Sequence, residues 1–286
     1  MCLDKDGLVN DTVGAYGKRV DGYYGLGQWM YRLVNGELEY PVEAVPDDAP
    51  LKERKEYQEK IAEWESLSMD RIPVYGFDTA AAKALLVKDG WTLNADGGKY
   101  TEGVRYAKIG KQLVPLRFTI LCPEGSSITE HLQERFVDHL AEIGIEAVIE
   151  TAPMPELLRS FYRDEERAAD MYVLASNFDL VFDPSITFMS DGKDAVNRWN
   201  PTGIADRLLY KYAVEMRETE PGNLLDYCKK WIKFQKRFQE ICPMIPIYSN
   251  VYYDVYANDL QDYDIFSNVT WSQAIVPAWL GSGQEN

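Results

Sequence analysis

Between residues 116 and 175 the apolar periodicity switches repeatedly between two and about 3.6 residues, and few chain folds accommodate that. Leu116-Arg117-Phe118-Thr119-Ile120-Leu121 reads as a strand. Over 127–143, Ile128, Leu132, Phe136, Leu140 and Ile143 make one apolar stripe at helical spacing. After Gly144, Ile145-Glu146-Ala147-Val148-Ile149 alternates as a strand does. A helix near 153–162 and a further strand, Met171-Tyr172-Val173-Leu174-Ala175, follow. Strand–helix–strand–helix–strand predicts an α/β fold, a mixed sheet with flanking helices packed on it. Phe118, Ile120, Leu132, Phe136, Leu140, Ile145, Ile149 and Val173 are expected to be buried together.

The flanking segments are read the same way. Five glycines between Gly14 and Gly27, interleaved with Tyr16, Tyr23, Tyr24 and Trp29, predict turns and close backbone approaches, not a continuous helix or strand. A loop from Pro41 to Pro50 leads into a charged surface helix over 51–67, with Tyr57, Ile61 and Trp64 at helical spacing. Asp78 is a candidate N-cap for a short helix ending near Gly90, and Asn94-Ala95-Asp96-Gly97-Gly98 is a turn signal. Long amphipathic helices are expected over 203–217 and 220–241. Pro243 ends the second, and Ile245-Pro246-Ile247-Tyr248 reads as a strand leaving the body. The tail, 249–286, is aromatic but has few regular signals.

The 286 residues, 46% of them hydrophobic, suffice for a large core. The formal net charge of -16 repels phosphate backbones and anionic lipid, so no nucleic-acid partner is expected. No run approaches the ~20 apolar residues needed to cross a bilayer, so no direct membrane insertion is expected. The four cysteines, Cys2, Cys122, Cys228 and Cys242, lack C-x-x-C spacing and suggest no zinc ribbon. Met1 to Asp6 has neither a basic start nor an apolar run, so no export signal is read there.

Catalytic patterns are missing too. The two histidines, His131 and His139, share a helix with ~12 Å of rise and ~80° of rotation between them, so they cannot ligate one metal unaided. No G-x-S-x-G elbow, P-loop or dinucleotide fingerprint is present. Asp179-Leu180-Val181-Phe182-Asp183 fails as a calcium loop, because apolar residues occupy ligand positions. No cofactor, metal or catalytic group is therefore assigned.

Ser176-Asn177-Phe178-Asp179-Leu180-Val181-Phe182-Asp183-Pro184 is more informative. A strand ends here in a polar and aromatic loop, at the carboxyl edge where open α/β sheets bind ligands. Asp179 either holds a ligand's ammonium group by a charge-assisted hydrogen bond or merely caps the turn.

Five segments, in order, carry a resemblance. They are Asp78-Thr79-Ala80-Ala81-Ala82-Lys83-Ala84-Leu85-Leu86 with Gly90-Trp91, Val114 to Ile120, Leu140 to Ala147, Asp170-Met171-Tyr172 through Asp183-Pro184, and Cys242-Pro243-Met244-Ile245-Pro246-Ile247-Tyr248. Together they resemble the family 5 extracellular solute-binding proteins of ABC transporters, the dipeptide-, oligopeptide- and nickel-binding class. The resemblance implies one lobe of a type II periplasmic-binding-protein-like fold. Residues 1–248 would form the second ligand-binding lobe, with Leu3 to Val9 as the helix after the first crossover, and 249–286 a segment returning toward a missing first lobe. It also implies that an N-terminal part with the export signal is missing.

What the resemblance implies for function is a non-enzymatic substrate-binding component. It would bind peptides or similar small solutes outside the membrane and deliver them to ABC permease subunits, lipid-anchored in full-length form. Asp179 takes the position of the acid that binds a peptide's α-ammonium group. Four residues separate it from Pro184, one more than the expected pattern, and Ser176 stands where the family often has tryptophan. Asn177, Phe178, Asp183, Asn197 and Trp199 complete the candidate ligand-binding set, with Phe178 and Trp199 as substitute aromatic walls. A hydrolytic enzyme with a site not visible in sequence, and a ligand-presenting sensor on the same fold, are the alternatives.

Overall fold

A computed structural model describes residues 1–178, 181–189, 199–250, 253–265 and 269–281. The glycine-rich opening breaks into short pieces: α1 (Lys5–Thr12), a 3₁₀ turn (Gly14–Tyr16), β1 (Gly17–Arg19) and α2 (Trp29–Val34). Asp4 caps α1 by accepting the Gly7 N–H at 3.0 Å. The charged helix α3 (Leu51–Glu65) buries Trp64 and leaves most of its circumference in solvent. Asp78 caps α4 (Thr79–Lys88) through the Ala81 N–H at 2.8 Å, as its position predicted. The Asn94–Gly98 turn forms, and β2 (Tyr106–Ile109) and β3 (Gln112–Pro115) make an antiparallel hairpin that leads into the sheet.

The order strand–helix–strand–helix–strand holds, with a shorter last strand and an interrupted first helix. β4 (Arg117–Pro123) is central, with β5 (Glu146–Ala152) and β6 (Met171–Tyr172) parallel on either side in the order β5-β4-β6. In register, Ile120 pairs with Ile149 on one flank and Met171 on the other. The helix between β4 and β5 differs from a simple α-helix. It comprises α5 (Ser127–Leu132), a π turn (Gln133–Val137) and α6 (Asp138–Glu142). Ile128, Leu132, Phe136, Leu140 and Ile143 are nevertheless all buried against the sheet. α7 (Met154–Phe161) returns the chain to β6. Of the predicted core, Ile120, Leu132, Phe136, Leu140 and Ile145 are buried, and Phe118, Ile149 and Val173 are half-buried against them. β6 is shorter than the expected 171–175. The Asp170 and Val173 N–H groups extend its pairing by one bond at each end, to the Thr119 and Leu121 carbonyls at 3.1 and 3.0 Å, before the chain leaves the sheet.

A second core is helical. α8 (Arg207–Arg217) begins after its N-cap Asp206, later than position 203, and α9 (Leu224–Ile241) begins after the Pro221-Gly222 turn and its N-cap Asn223. Leu209, Ala213 and Met216 of α8 meet Cys228, Trp231, Phe234 and Phe238 of α9, and Met30, Leu33, Val34 and Trp64 close the cluster. Cys242 ends α9 in the left-handed region, φ 45°, before Pro243. The exit strand forms three residues later than expected, as β7 (Tyr248–Asn250), antiparallel to β1. Pro246 has no N–H to give a ladder, which delays the pairing.

The tail contains β8 (Leu260–Gln261), α10 (Trp271–Ala274) and β9 (Trp279–Leu280), the two strands pairing antiparallel. Tyr253 sets its ring edge-on to Tyr16 at 5.8 Å. Tyr253, Tyr256, Trp271, Trp279 and Leu280 are all exposed, whereas Tyr252 and Phe266 lie outside the described residues.

Candidate functional site

Because β4, β5 and β6 run parallel, Pro123, Ala152 and the chain after Tyr172 all reach one carboxyl edge. There Ala175, Ser176 and Asn177 are exposed, and Phe178 turns half inward. Its ring meets Tyr23 edge-on at 5.1 Å and Phe182 at 5.9 Å. Tyr23 in turn stacks on Phe238 of α9 at 5.4 Å and meets Phe188 edge-on at 5.2 Å. Burial raises the Tyr23 hydroxyl pKa, against the opposing effect of a hydrogen bond with Thr187.

Gln235, fully buried on α9, fixes Tyr23 through its backbone. It accepts the Tyr23 N–H at 2.8 Å and donates to the Tyr23 carbonyl at 2.9 Å. Gly25 sits directly against the loop, where an added Cβ would lie 3.2 Å from the Phe178 ring. The Leu26 N–H donates to Ser249 Oγ at 3.2 Å, which joins the chain's first turns, its exit strand and this loop in one place.

Of the remaining candidates, Asp183 accepts the Ser185 N–H at 2.9 Å and closes a local turn, as aspartate does two residues before a free N–H. Burial, followed by the nearby Cys228 and Asp183, raises the pKa of Tyr227, whose hydroxyl donates to the Phe182 carbonyl at 2.7 Å. Trp199 is exposed. Its neighbour Asn200 is fully buried and donates to the Met189 and Ile204 carbonyls at 3.2 and 2.9 Å, tying this stretch to the end of the same loop. Asn177, Phe178 and Asp183 thus share one loop. Asp179 and Asn197 lie outside the described residues. The supporting residues Tyr23, Gly25, Gln235 and Ser249 were not singled out from sequence; the only signal was the interleaving of glycine and aromatics around Tyr23.

Among the described residues, no three His, Cys, Asp or Glu side chains are grouped to hold a metal ion, and all four cysteines are free. His139 instead packs against Phe77, ring centroids 4.6 Å apart. No helix among the described residues is long and apolar enough to cross a membrane.

The model of the bacterial extracellular solute-binding proteins, family 5 Middle, matches residues 1–205. The chain belongs to this family. Solved structures agree on the fold. The oligopeptide-binding protein AppA of Bacillus subtilis, in complex with a nonapeptide, superposes with a TM-score of 0.62 at 15% identity, over 98% of this chain and 46% of AppA. DppA of Helicobacter pylori, in complex with the peptide STSA, gives 0.56 at 13% identity, over 98% and 42%. NikZ of Campylobacter jejuni, in complex with Ni(L-His), gives 0.56 at 17%, over 87% and 40%. This family 5 chain therefore spans less than half the length of each. No curated protein matches it. At these identities the likeness establishes the fold: α/β, one lobe of a periplasmic-binding-protein-like architecture.

Proposed function

We propose that this family 5 chain supplies one wall of the ligand cleft of an ABC importer's substrate-binding component. It binds peptides or similar small solutes outside the membrane, without catalysis, and passes them to the permease subunits. The observation that carries this reading is the carboxyl edge of the parallel sheet. An exposed run, Ala175 to Asn177, with the polar side chains of Ser176 and Asn177, is followed there by a half-buried Phe178 seated on an aromatic cluster. The ligands of the similar structures, a nonapeptide, STSA and Ni(L-His), are peptides or amino-acid complexes and favour a ligand of that kind.

Residues 1–248 form the lobe in this reading. The exposed aromatic tail, with Trp271 and Trp279, belongs against a companion lobe. The mature protein sits outside the cytoplasm, in the periplasm or at the outer face of the cell membrane, lipid-anchored in its full-length form. Asp179 holds the ligand's ammonium group, with Asn177, Phe178, Asp183, Asn197 and Trp199 around it.

The test is calorimetry on the full-length gene product with a peptide pool that binds, comparing wild type with Asp179→Asn. The substitution keeps shape and removes charge. A charge-assisted hydrogen bond of about 1.5–3 kcal/mol predicts a loss of roughly ten- to a hundredfold in affinity. Equal affinity removes Asp179 from this role, and a larger loss in Asp183→Asn moves it to Asp183.

A further inference from the structure

The approach to β6 carries an unusual pair of cations. Arg163 and Arg167 lie in the connection from α7 to β6, just before the strand begins. In a chain of net charge -16, cations normally find carboxylates. Arg159 pairs with Glu165 at 2.7 Å, and Arg117 with Glu146 at 2.7 Å. Arg163 and Arg167 pair with none among the described residues. Both point instead at neutral carbonyls: Arg163 Nη2 and Arg167 Nη1 donate to the Pro201 carbonyl at 3.2 and 2.8 Å, and Arg167 Nε donates to the Ala169 carbonyl at 3.4 Å. Burial, and next the adjacent Arg167 charge, lowers the Arg163 guanidinium below its ordinary pKa.

The pair is held in place. The Arg167 guanidinium lies over the Tyr172 ring, 4.6 Å from its centroid. The Tyr172 hydroxyl is fixed by Ser160 Oγ at 2.7 Å, and Ser160 Oγ also accepts the Ala168 N–H at 2.8 Å. Arg163 Nε is buried and has no hydrogen-bond partner.

The backbone adds a third observation. Arg163 has φ 61°, in the left-handed position that follows a helix, where the Asp164 N–H reaches back to the Arg159 carbonyl at 2.9 Å. Glycine occupies such a position without strain, and a side chain held there in spite of its Cβ points to a use for that side chain. The two arginines, with Ala168, Ala169 and Asp170, line an open cavity of about 350 Å³. Asp170 Oδ2 is engaged by the Thr119 N–H at 2.9 Å, so two guanidiniums and one carboxylate leave the lining with a single positive charge.

We propose that Arg163 and Arg167 form a binding site for an oxyanion, a carboxylate or phosphate group, in the connection from α7 to β6, beside the Pro201 carbonyl. The guanidinium end of Arg163 supplies one donor and the terminal nitrogens of Arg167, whose Nε is taken by the Ala169 carbonyl at 3.4 Å, another, in the geometry that guanidinium groups offer to both anions.

The site is read by ¹H–¹⁵N spectra of the arginine Nε–Hε groups in this 286-residue chain. It is titrated with sodium phosphate and separately with sodium acetate, against sodium chloride at matched ionic strength. The Arg163 signal, assigned by its loss in Arg163→Gly, shifts saturably with at least one of the two oxyanions and not with chloride. The anion with the lower midpoint names the group. In Arg167→Gln the midpoint rises by about tenfold or more, the worth of one charge-assisted hydrogen bond. Arg163→Gly relieves the strained φ, so that variant folds, and its melting temperature loses the oxyanion-dependent rise seen in wild type. A shift that is unsaturable or equal in chloride, an unchanged midpoint in Arg167→Gln, or the same melting rise in Arg163→Gly overturns the proposal.

Discussion

Arg105 is 2% exposed and has no carboxylate partner among the described residues, so its stability balance can be worked from three contacts. Nε donates to the Ile143 carbonyl at 2.6 Å, Nη1 donates to the Trp91 carbonyl at 2.9 Å, and the guanidinium lies 3.8 Å from the Tyr100 ring centroid. Ile143 follows α6, where helix carbonyls lack partners and carry partial negative charge. Replacing Arg105 by methionine strands the buried Ile143 carbonyl and the part-buried Trp91 carbonyl, at about 1–3 kcal/mol each with the second near the lower end, and removes a desolvated cation–π contact of about 2 kcal/mol. It also removes the cost of burying a cation, which offsets several kcal/mol of that loss.

The expected net result for Arg105→Met is destabilisation by about 2–4 kcal/mol. Urea unfolding followed by tryptophan fluorescence measures it. Arg54→Met on the exposed face of α3 serves as the control, and should stay within about 0.5 kcal/mol of wild type. An Arg105→Met chain as stable as wild type would refute the reasoning, because the contacts would then be worth no more than the desolvation they require.

Three further outcomes are expected. Gly144 has φ 87°, and a Cβ there would lie 2.6 Å from the Tyr100 hydroxyl and 2.7 Å from Arg105 Cγ, so Gly144→Ala should cost more than about 2 kcal/mol in the same unfolding assay. Burial raises the Asp21 carboxyl, but hydrogen bonds from Arg19 and Lys5 outweigh it and hold the pKa below the ordinary value. The stability it contributes is therefore present above about pH 4 and lost as pH falls through the depressed value; Asp21→Asn should flatten that acid limb of a melting-temperature profile. Burial pushes the Cys228 thiol up to about 12 and desolvation raises the Cys242 thiol too, but only Cys242 is exposed, so a thiol reagent at neutral pH should label it, slowly, before unfolding frees the buried Cys2, Cys122 and Cys228.

Much of the fold was legible because periodicity reports burial directly. The stripe from Ile128 to Ile143 and the strand at Phe118–Leu121 became the core against β4. Helix starts were less legible where a cap competes with propensity. Asp206 and Asn223 each begin a helix later than the apolar pattern suggests, because their side chains take up the Leu209 and Asp226 N–H groups. The π turn was hidden for a numerical reason. Spacings of four, four, four and three keep the stripe within about 120° of an α-helix's circumference, so the pattern fits an unbroken α-helix and gives no sign of the π turn at Gln133–Val137. The candidate loop was found as the end of a strand. Its support was not, since Gln235 and Tyr23 are 212 residues apart and only folding joins them.

That π turn also decides how the start of the chain is seated. Arg135 lies within it and grips both ends of α1 at once. Its carbonyl accepts the Asp4 N–H at 3.0 Å, and its guanidinium reaches Asp4 at 3.1 Å and Asp11 at 2.7 Å. Turned through one residue's rotation, ~100°, the same arginine would face away from α1. The first helix therefore hangs from a clasp whose aim is set by the helical phase of a segment more than a hundred residues away, and a change of length between α5 and α6 is transmitted to the chain's beginning as a rotation.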